Sequence, residues 1–342
     1  MIKQIKLKNF RRFSELNLDT NNQIIIFSGP NASGKTSVLE SIYLTSTSKS
    51  HRTLDFSSLI LNGEDFSIIE IEDLKKYKVI LSKEGKKNYI NNVEYSKISE
   101  FIGNLKVVLF SPQDLELIQG SKGVRRRFLD LEISLLDKTY LRAITAYKKI
   151  LKERNEILKN YNQSNELIFK VLTTQLIEEL KIIYDKRISF LDSINRQLKT
   201  ISKKLECEEI KLSYLASYDI NNIVNSFENK KNYDLLTKTT NIGTHRDDFK
   251  IEINDLDAFD YASEGQKRTI ILAIKLALKE LYLNQFKIEP ILLLDDIFAA
   301  LDNKRINHIM DYIKNQSQTF ITTTSIFSIP DELLKNAKVI RL

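Results

Sequence analysis

The stretch Gly29-Pro30-Asn31-Ala32-Ser33-Gly34-Lys35-Thr36 matches the pattern G-x-x-x-x-G-K-[ST] in full. Ahead of it, Ile24-Ile25-Ile26-Phe27 is an apolar run typical of a buried strand, and residues 37–44 carry apolar side chains at helical spacing. A strand, a glycine-rich loop and a helix in this order present backbone amides to phosphate oxygens at the positive end of the helix. The sequence therefore predicts a nucleotide-binding loop in an α/β fold, and the flanking elements disfavour an ordinary glycine-rich turn.

The loop residues have separate expected roles. A side chain at Gly29 or Gly34 would obstruct the approach of a phosphate group to the backbone. We expect Lys35 to neutralise the β- and γ-phosphates of a bound nucleotide and Thr36 to place its hydroxyl on Mg²⁺, a cation that accepts few protein ligands. The candidate nucleotide-binding residues of this segment are Gly29, Pro30, Asn31, Ala32, Ser33, Gly34, Lys35, Thr36 and Ser37.

A second apolar run, Pro290-Ile291-Leu292-Leu293-Leu294, leads into Asp295 and Asp296. A parallel strand that is buried on both faces has a continuous apolar sequence, and its carboxyl end is where α/β sheets bind ligands. We expect Asp295 to bind Mg²⁺ there, in the manner of a Walker B aspartate. The alternative is a strand that simply ends in an acidic turn. The presence of the glycine-rich loop in the same chain argues against this alternative.

Between these elements, Ala262-Ser263-Glu264-Gly265-Gln266-Lys267-Arg268 precedes an apolar helical stretch at residues 270–278. Ser263 and Gln266 are spaced as a capping box, which is a common start for a helix. A helix N-terminus with a capping serine and a nearby glycine is also a ready anion site. The run Ser-x-Gly-Gln upstream of a Walker B strand resembles the signature motif of the ATP-binding-cassette family, whose serine and glycine clasp a γ-phosphate.

The resemblance to ATP-binding-cassette proteins implies further residue roles. Ser263, Gly265 and Gln266 would reach the nucleotide of a partner subunit, which implies an ATP-dependent homodimer. Asp296 stands where most of these proteins have a glutamate that orients the attacking water, and its shorter side chain predicts slow hydrolysis. The remaining candidates are Gln113 for the glutamine near the metal, Ala299-Ala300-Leu301-Asp302 for the D-loop, and Phe320-Ile321-Thr322-Thr323-Thr324 for the strand that ends at the γ-phosphate switch.

Further segments outside these motifs are distributed nearly from one end of the sequence to the other. They are Ile5-Lys6-Leu7-Lys8-Asn9-Phe10-Arg11, Ser50-His51-Arg52, Phe110-Ser111-Pro112-Gln113-Asp114-Leu115, Gly120 with Arg125-Arg126-Arg127-Phe128-Leu129-Asp130, and Gly243-Thr244-His245-Arg246-Asp247-Asp248. Together these segments resemble the RecF family. Three positions depart from the family pattern. Ala32 replaces a glycine, Gln113 stands where an acid is common, and Ala299-Ala300 replaces Ser-Glu, all of which bear on the details of hydrolysis.

The fold implied by the resemblance is an ATP-binding-cassette-type P-loop ATPase core, a mixed sheet with flanking helices, interrupted by a helical lobe. Residues 123–205 are almost free of Gly and Pro and carry apolar residues at helical spacing. In residues 141–151 the lysines occupy the face opposite the apolar one. We therefore expect the first half of the core at 1–122, the lobe at 123–205 and the second half of the core at 206–342.

Composition gives broader expectations for the 342-residue chain. Its 52 Lys and Arg against 45 Asp and Glu give a formal charge of +7, which favours anionic partners modestly, although an AT-rich genome accounts for part of the lysine content. The single cysteine, Cys207, excludes an internal disulfide and a zinc thiol cluster. Because no apolar run could cross a bilayer and the first residues lack a signal sequence, we expect a cytoplasmic protein that is not bound to a membrane.

The RecF resemblance also implies a function in recombinational repair and replication maintenance. The implied partners are single-stranded and gapped duplex DNA, and recombination mediators of the RecO and RecR type. We expect a weak, DNA-dependent ATPase that acts as a switch, in which two ATP-bound subunits close on DNA through phosphate contacts.

Three other classes of protein share the nucleotide-binding motifs. The end-to-end family segments argue against a transporter ATPase. No further acidic cluster follows Asp296, which argues against an overcoming-lysogenization-type protein with a fused nuclease. The late Walker B run and the signature argue against a small-molecule kinase.

Two groups of residues outside the motifs have competing interpretations. We interpret Arg125-Arg126-Arg127, beside Gly120, as facing nucleotide or DNA phosphates, with ion pairs or a solvated helix face as the alternatives. His51 and His245 are too distant in sequence, and too poor in partner ligands, to indicate a metal site. We interpret His245-Arg246 as structural or interfacial.

Overall fold

The computed structural model describes residues 1–298, 306, 308, 310, 313 and 317–342. The candidate D-loop, Ala299 to Asp302, lies outside the described residues. The strands are β1 (Gln4–Phe10), β2 (Phe13–Asp19), β3 (Ile24–Ser28), β4 (Phe66–Glu72), β5 (Lys76–Ser82), β6 (Gly85–Ile90), β7 (Val93–Glu94), β8 (Val107–Phe110), β9 (Ile210–Leu215), β10 (Asp248–Ile253), β11 (Leu256–Asp257), β12 (Ile291–Asp295), β13 (Thr319–Thr323) and β14 (Ala337–Arg341). The α-helices whose bounds lie within the described residues are α1 (Lys35–Thr47), α2 (Ile98–Phe101), α3 (Glu116–Gln119), α4 (Lys122–Leu136), α5 (Lys138–Lys159), α6 (Glu166–Lys204), α7 (Ile223–Thr237), α8 (Ala258–Tyr261), α9 (Glu264–Phe286) and α10 (Asp331–Asn336).

The chain divides into two compact units. The first unit comprises residues 1–115, 203–207 and 268–342, and the second comprises residues 116–202 and 208–267. In the described part of the chain, none of the helices has both the length and the apolar character needed to span a bilayer.

A parallel sheet in the order β14-β3-β13-β12-β8 forms one layer of the first unit. Every residue of β3, β12 and β13 is buried, which explains why these strands are apolar or β-branched without alternation, apart from Ser28 and Asp295 at the carboxyl ends of β3 and β12. The strands predicted at Ile24–Phe27 and at 320–324 are confirmed as β3 and β13, and the apolar run before Asp295 as β12. Because the strands are parallel, their carboxyl ends meet at one edge of the sheet.

An antiparallel sheet in the order β2-β1-β4-β5-β6-β7 forms the second layer of this unit. Its strands β4 and β5 alternate buried and half-buried residues, as expected for a sheet with one face on the core. The hairpin between β6 and β7 turns at Asn91 and Asn92, both with positive φ, which asparagine tolerates well. Apolar residues of both sheets and of α1 form one continuous core.

The second unit combines helices with a small antiparallel sheet. Helices α4, α5 and α7 and most of α6 contribute its helical part, and β9, β10 and β11 form a sheet in the order β11-β10-β9. Two arginines, Arg154 on α5 and Arg187 on α6, are almost completely buried in this unit. Each is held by a carboxylate, Asp234 and Asp130 respectively, because a buried charge requires a partner.

Candidate nucleotide-binding site

The glycine-rich loop lies between the end of β3 and the start of α1. Lys35 is 7% exposed, and its ammonium donates hydrogen bonds to the carbonyls of Gly29 and Pro30, each at 2.8 Å. Gly34 precedes α1 with φ of 107°, and a Cβ there would lie 2.3 Å from Cζ of Phe13. Both the backbone conformation and the available space therefore require glycine at this position.

The two halves of the predicted magnesium site come together although they are far apart in sequence. The Thr36 hydroxyl donates to Oδ1 of Asp295 at 2.8 Å. The Thr322 hydroxyl donates to the same oxygen at 2.7 Å. This contact follows from the sheet order, because β3, β13 and β12 are parallel neighbours whose carboxyl ends share an edge. Thr36, Asp295 and Thr322 thus form an oxygen-rich group beside the loop.

Asp296 occupies a strained position next to this group. Its φ is 51°, in the left-handed region, and its amide donates to the Thr322 hydroxyl at 2.9 Å. Among the described residues, nothing hydrogen-bonds its buried Oδ1. Burial, reinforced by the Asp295 carboxylate, raises the pKa of Asp296 above its ordinary value, while Lys35 opposes the shift. A buried carboxylate oxygen without a protein partner fits a position that binds a water or a ligand.

The pocket around the loop contains residues that sequence reasoning did not propose for the site. Arg11, Arg12 and Arg52 line it together with Lys35, Thr36, Asp295, Asp296, Thr322 and Thr324. Arg11 and Arg52 occur in segments that carried the family resemblance, and Arg12 directly follows one of them. The sequence signal for these arginines was therefore the family resemblance itself. Three guanidinium groups beside a phosphate-type loop make the pocket suited to a polyanion.

Glu40, which is fully buried on α1, fixes one of these arginines. Its carboxylate accepts from Arg11 Nε at 2.8 Å and from Arg11 Nη2 at 2.7 Å, and it also accepts from the Ser50 hydroxyl at 2.5 Å. Burial acts to raise the pKa of Glu40, but the hydrogen bonds from Arg11 and Ser50 outweigh it and hold the pKa below its ordinary value. Arg12 is also held, since its guanidinium donates to the carbonyl of Ala32.

Ala32 adopts φ of 64°, the left-handed conformation for which glycine is favoured. Although alanine replaces the family's glycine at this position, the backbone keeps a conformation that glycine adopts easily. For alanine this conformation is strained. We expect the strain to cost about 1–2 kcal/mol.

Gln113 is exposed on the 3₁₀ turn Pro112–Leu115. The turn is fixed by Asp114, whose carboxylate accepts from the Ser111 amide and pairs with the buried Lys275 at 2.6 Å. Residues flanking Gln113 line a small cavity together with Asp296, namely Phe110, Ser111, Pro112 and Leu115. The catalytic role of Gln113 remains a prediction.

The signature residues form the predicted capping box at the start of α9. The Ser263 amide donates to Oε1 of Gln266 at 2.8 Å, and the Gln266 amide donates to the Ser263 hydroxyl at 3.3 Å. The Gln266 side chain also donates to Glu208 at 2.7 Å, and Ser263 itself is exposed. Ser263, Gly265 and Gln266 belong to the second unit, whereas the glycine-rich loop belongs to the first.

The arginine cluster on α4 does not act as one group. Arg125 makes a two-pronged ion pair with Asp248 at 2.7 and 3.0 Å and donates to the Gly120 carbonyl. Arg126 donates to the Asp247 carbonyl at 2.9 Å. For Arg125 the structure shows the ion pair that was one of the alternatives, because its guanidinium fork is matched by the Asp248 carboxylate. The exposed Arg127 retains the original interpretation as a prediction.

His245 has the structural role that was one of its two interpretations. Its ring nitrogens lie 2.8 Å from the Tyr147 hydroxyl and 2.9 Å from the Thr240 carbonyl. His51 differs, because neither of its buried ring nitrogens has a hydrogen-bond partner among the described residues. It packs edge-on against Tyr43, with ring centroids 5.4 Å apart.

Comparison with known proteins places this site in a family. The model of the RecF/RecN/SMC N-terminal domain matches residues 1–340. The DNA replication and repair protein RecF of Acholeplasma laidlawii is 40% identical over 94% of this chain and 93% of its own length. RecF of Bacillus cytotoxicus is 38% identical over 100% of this chain and 96% of its own length.

Solved structures agree with the sequence relatives. The recombination mediator protein RecF bound to ATP, in the RecFOR pathway, superposes with a TM-score of 0.89 at 30% identity, covering 96% of this chain and 93% of that one. An Smc head domain from Pyrococcus furiosus superposes with a TM-score of 0.55 at 17% identity, covering 99% and 92%, which shows a shared fold. The predicted fold class, an ATP-binding-cassette-type α/β core with an inserted helical lobe, is confirmed. The chain belongs to the RecF family of DNA replication and repair proteins, within the wider RecF/RecN/SMC group.

Proposed function

We propose that this protein is an ATP-dependent switch that dimerises on binding ATP and closes on gapped DNA or on junctions between single-stranded and duplex DNA. The observation that carries the proposal is the hydrogen bond between Thr36 and Asp295, which unites the loop and the Walker B strand at one edge of the sheet. Binding of nucleotide there would bias the closed dimer only if the closed form binds it more tightly. The γ-phosphate, shared by two subunits, would supply that difference.

The residues fit a magnesium ion and a triphosphate. The hydroxyl of Thr36 and the carboxylate of Asp295 are hard oxygen donors, and they leave most of the coordination to phosphate and water, as Mg²⁺ prefers. Lys35 and the surrounding arginines supply the opposing charge for the phosphates. The loop requires glycine at position 34, because a Cβ there would clash with Phe13. The bound ion would polarise the phosphoryl oxygens and neutralise charge that develops on them.

We assign the orientation of the attacking water to Asp296, with Gln113 as a second candidate. Asp296 has a buried carboxylate oxygen without a partner among the described residues, and its raised pKa makes it a better proton acceptor than an ordinary aspartate. An aspartate reaches less far than the glutamate of most ATP-binding-cassette proteins. Slow, DNA-stimulated hydrolysis is the expected consequence, and it would reopen the dimer.

The second subunit would complete the site through its signature. Ser263 is exposed at the N-terminus of α9, where the positive end of the helix favours an anion. In this proposal Ser263, Gly265 and Gln266 of each subunit contact the nucleotide bound by the other. Relatives act in the RecFOR pathway, so we extend the proposal to mediators of the RecO and RecR type, which would help to load the recombinase on gapped DNA.

The test measures oligomeric state by analytical sedimentation with and without ATP, Mg²⁺ and gapped DNA. The wild-type protein should form dimers that depend on ATP. Lys35→Met should lose ATP binding together with dimerisation, because the phosphate charge is no longer neutralised. Ser263→Arg should bind ATP and remain monomeric, because the bulky cation blocks the shared site.

The matched control is Ser189→Arg, which makes the same change at an exposed position of α6. It should dimerise like the wild type. A wild-type protein that stays monomeric at saturating ATP and DNA would refute the proposal. Normal dimers of Ser263→Arg would refute the shared site while leaving ATP binding intact.

A further inference from the structure

Helix α5 carries a row of exposed cations that the nucleotide site does not use. Lys138, Arg142, Lys149 and Lys152 are spaced by four, seven and three residues, so they fall on one face of the helix. All four are exposed. We call this row the α5 basic stripe. At about 1.5 Å per residue it is about 21 Å long.

The opposite face of α5 fixes the orientation of the stripe. That face buries Tyr140, Ala143, Ile144 and Tyr147, and also Arg154, which pairs with Asp234 at 3.0 Å. The helix therefore cannot rotate to shield its cations without exposing this core. The stripe is a rigid feature of the second unit.

Within α5, acidic neighbours lie only at the C-terminal end of the stripe. Within the described part of the chain, its one ion pair joins Lys149 to Glu153 at 4.0 Å, at the outer limit of such contacts. Glu156 follows Lys152 by four residues, but it pairs with Lys159 at 2.8 Å, and Lys152 makes a smaller contribution to the lowering of its pKa. The exposed face of α6 has a different character, since acids and bases are interspersed along it, as in Glu178, Lys181, Asp185, Asp192 and Arg196. A genome-wide excess of lysine would affect both helices equally, so it does not explain the stripe.

Stability of the fold does not explain the stripe either. Lys138 with Arg142, and Lys149 with Lys152, are like-charged neighbours one turn apart, an arrangement that weakens a helix. Lys138 is the first residue of the helix, where the dipole favours acids. The acid at this end, Asp137, accepts from the Thr139 and Tyr140 amides and pairs with Lys186 at 2.7 Å, not with Lys138. Such a distribution is unfavourable in the isolated protein and becomes favourable when a polyanion lies along it.

We propose that the α5 basic stripe binds the phosphate backbone of duplex DNA. The inference rests on the proposed DNA-binding function and gives it a location. A duplex carries one charge per about 1.7 Å of its axis, so a stripe of this length can meet several phosphates. The stripe includes no aromatic side chain on which a base could stack, which favours backbone contacts without base recognition.

The test compares two full-length variants with equal net charge. One carries Lys138→Gln, Arg142→Gln, Lys149→Gln and Lys152→Gln. The control carries Lys170→Gln, Lys181→Gln, Arg196→Gln and Lys199→Gln, which removes four exposed cations from α6. Each lowers the formal charge from +7 to +3. Glutamine preserves helix propensity, so changes in binding report charge at a defined position.

Fluorescence anisotropy would measure affinity for a gapped duplex in ATP at several salt concentrations. We expect the α5 variant to lose at least about tenfold in affinity, and the slope of log K against log salt to fall by about one for each phosphate contact removed. The α6 control should stay within about twofold of the wild type. The α5 variant should still dimerise with ATP in sedimentation.

Three outcomes would overturn the inference: wild-type affinity of the α5 variant, equal losses in both variants, or an unchanged salt slope. If the wild-type protein failed to bind DNA at all, the proposed function itself would fail, which is a distinguishable result. Should the fourfold variant not fold, Arg142→Gln with Lys149→Gln provides a milder version, matched by Lys181→Gln with Arg196→Gln.

Discussion

Glu40 is a buried acid whose negative charge is balanced mainly by the guanidinium of Arg11. It has no solvent exposure, and the Arg11 guanidinium that neutralises it also lines the nucleotide pocket. Arg52 lies 3.7 Å from the same carboxylate and lines the same pocket. One buried acid therefore positions two of the cations that would face a nucleotide.

We predict that Glu40→Gln destabilises the protein by about 3 kcal/mol at pH 7, because it leaves a partly buried guanidinium without its counter-charge. The pKa of Glu40 lies below its ordinary value of 4.5, so its stabilising effect is complete above pH 4.5 and disappears as the pH falls through the lower pKa of the folded protein. Urea unfolding at pH 7 and at successively lower pH values should show a difference from the wild type that shrinks as the pH falls below 4.5. Glu70→Gln, which breaks an exposed pair with Lys78, should cost less than about 1 kcal/mol. A loss that does not shrink at acidic pH would contradict the prediction.

The sequence predicted which residues of the site meet where the fold itself fixes their positions. Thr36 and Asp295 were expected to meet because loops that follow parallel strands share one edge of the sheet. The pair of Arg11 and Glu40 was not, because a glutamate within a helix usually faces solvent and no pattern relates it to an arginine 29 positions earlier.

At the scale of elements, the loop at residues 243–248 depends on tight packing against α5. Gly243 has φ of 127°, and a Cβ there would lie 2.2 Å from the Tyr147 hydroxyl. That hydroxyl is already hydrogen-bonded to His245. The loop also supplies the Thr244 carbonyl to Arg187, so loop, α5 and α6 are linked through polar contacts.

Gly243→Ala should therefore destabilise the protein more than Gly63→Ala. Both positions have positive φ, which costs an alanine about 1–2 kcal/mol. At Gly63 no described atom lies within 4 Å of the added methyl, whereas at Gly243 the buried Tyr147 must move, which adds about 1–3 kcal/mol. Urea unfolding of the two variants would measure the difference. Equal destabilisation of the two variants would contradict the prediction, because it would mean that Tyr147 and the loop accommodate the added methyl group without a loss of stability.

The elements themselves followed from periodicity, except where the signal was short. The continuous apolar runs of β3 and β12 and the helical spacing of α5 predicted these elements because burial imposes those patterns. The sheet of β9 and β10 was not singled out, although residues 210–214 and 249–253 alternate between apolar and polar side chains. The burial of Arg154 and Arg187 had no sequence signal, since arginines at helical spacing normally indicate an exposed face.

At the scale of the whole molecule, nucleotide binding and association should be coupled. We predict that ATP at about 100 times its Kd stabilises the protein by about 2.7 kcal/mol and that its Tm then rises with protein concentration, because a dimer is stabilised by mass action. Without ATP, the Tm should not depend on protein concentration. The Ser263→Arg variant should still be stabilised by ATP, but its Tm in ATP should no longer depend on protein concentration. Differential scanning calorimetry over a tenfold range of protein would check this, and a concentration-dependent Tm for Ser263→Arg would contradict it.

The order of strands in the parallel sheet has a consequence for synthesis on the ribosome. Strand β3, which leads into the glycine-rich loop, is translated early, but its two hydrogen-bonded neighbours begin at Thr319 and Ala337. Contacts so distant in sequence form late and slowly. A nascent chain therefore cannot assemble the pocket before those strands have been synthesised. Incomplete polypeptides are thus prevented from binding ATP and from dimerising with completed subunits.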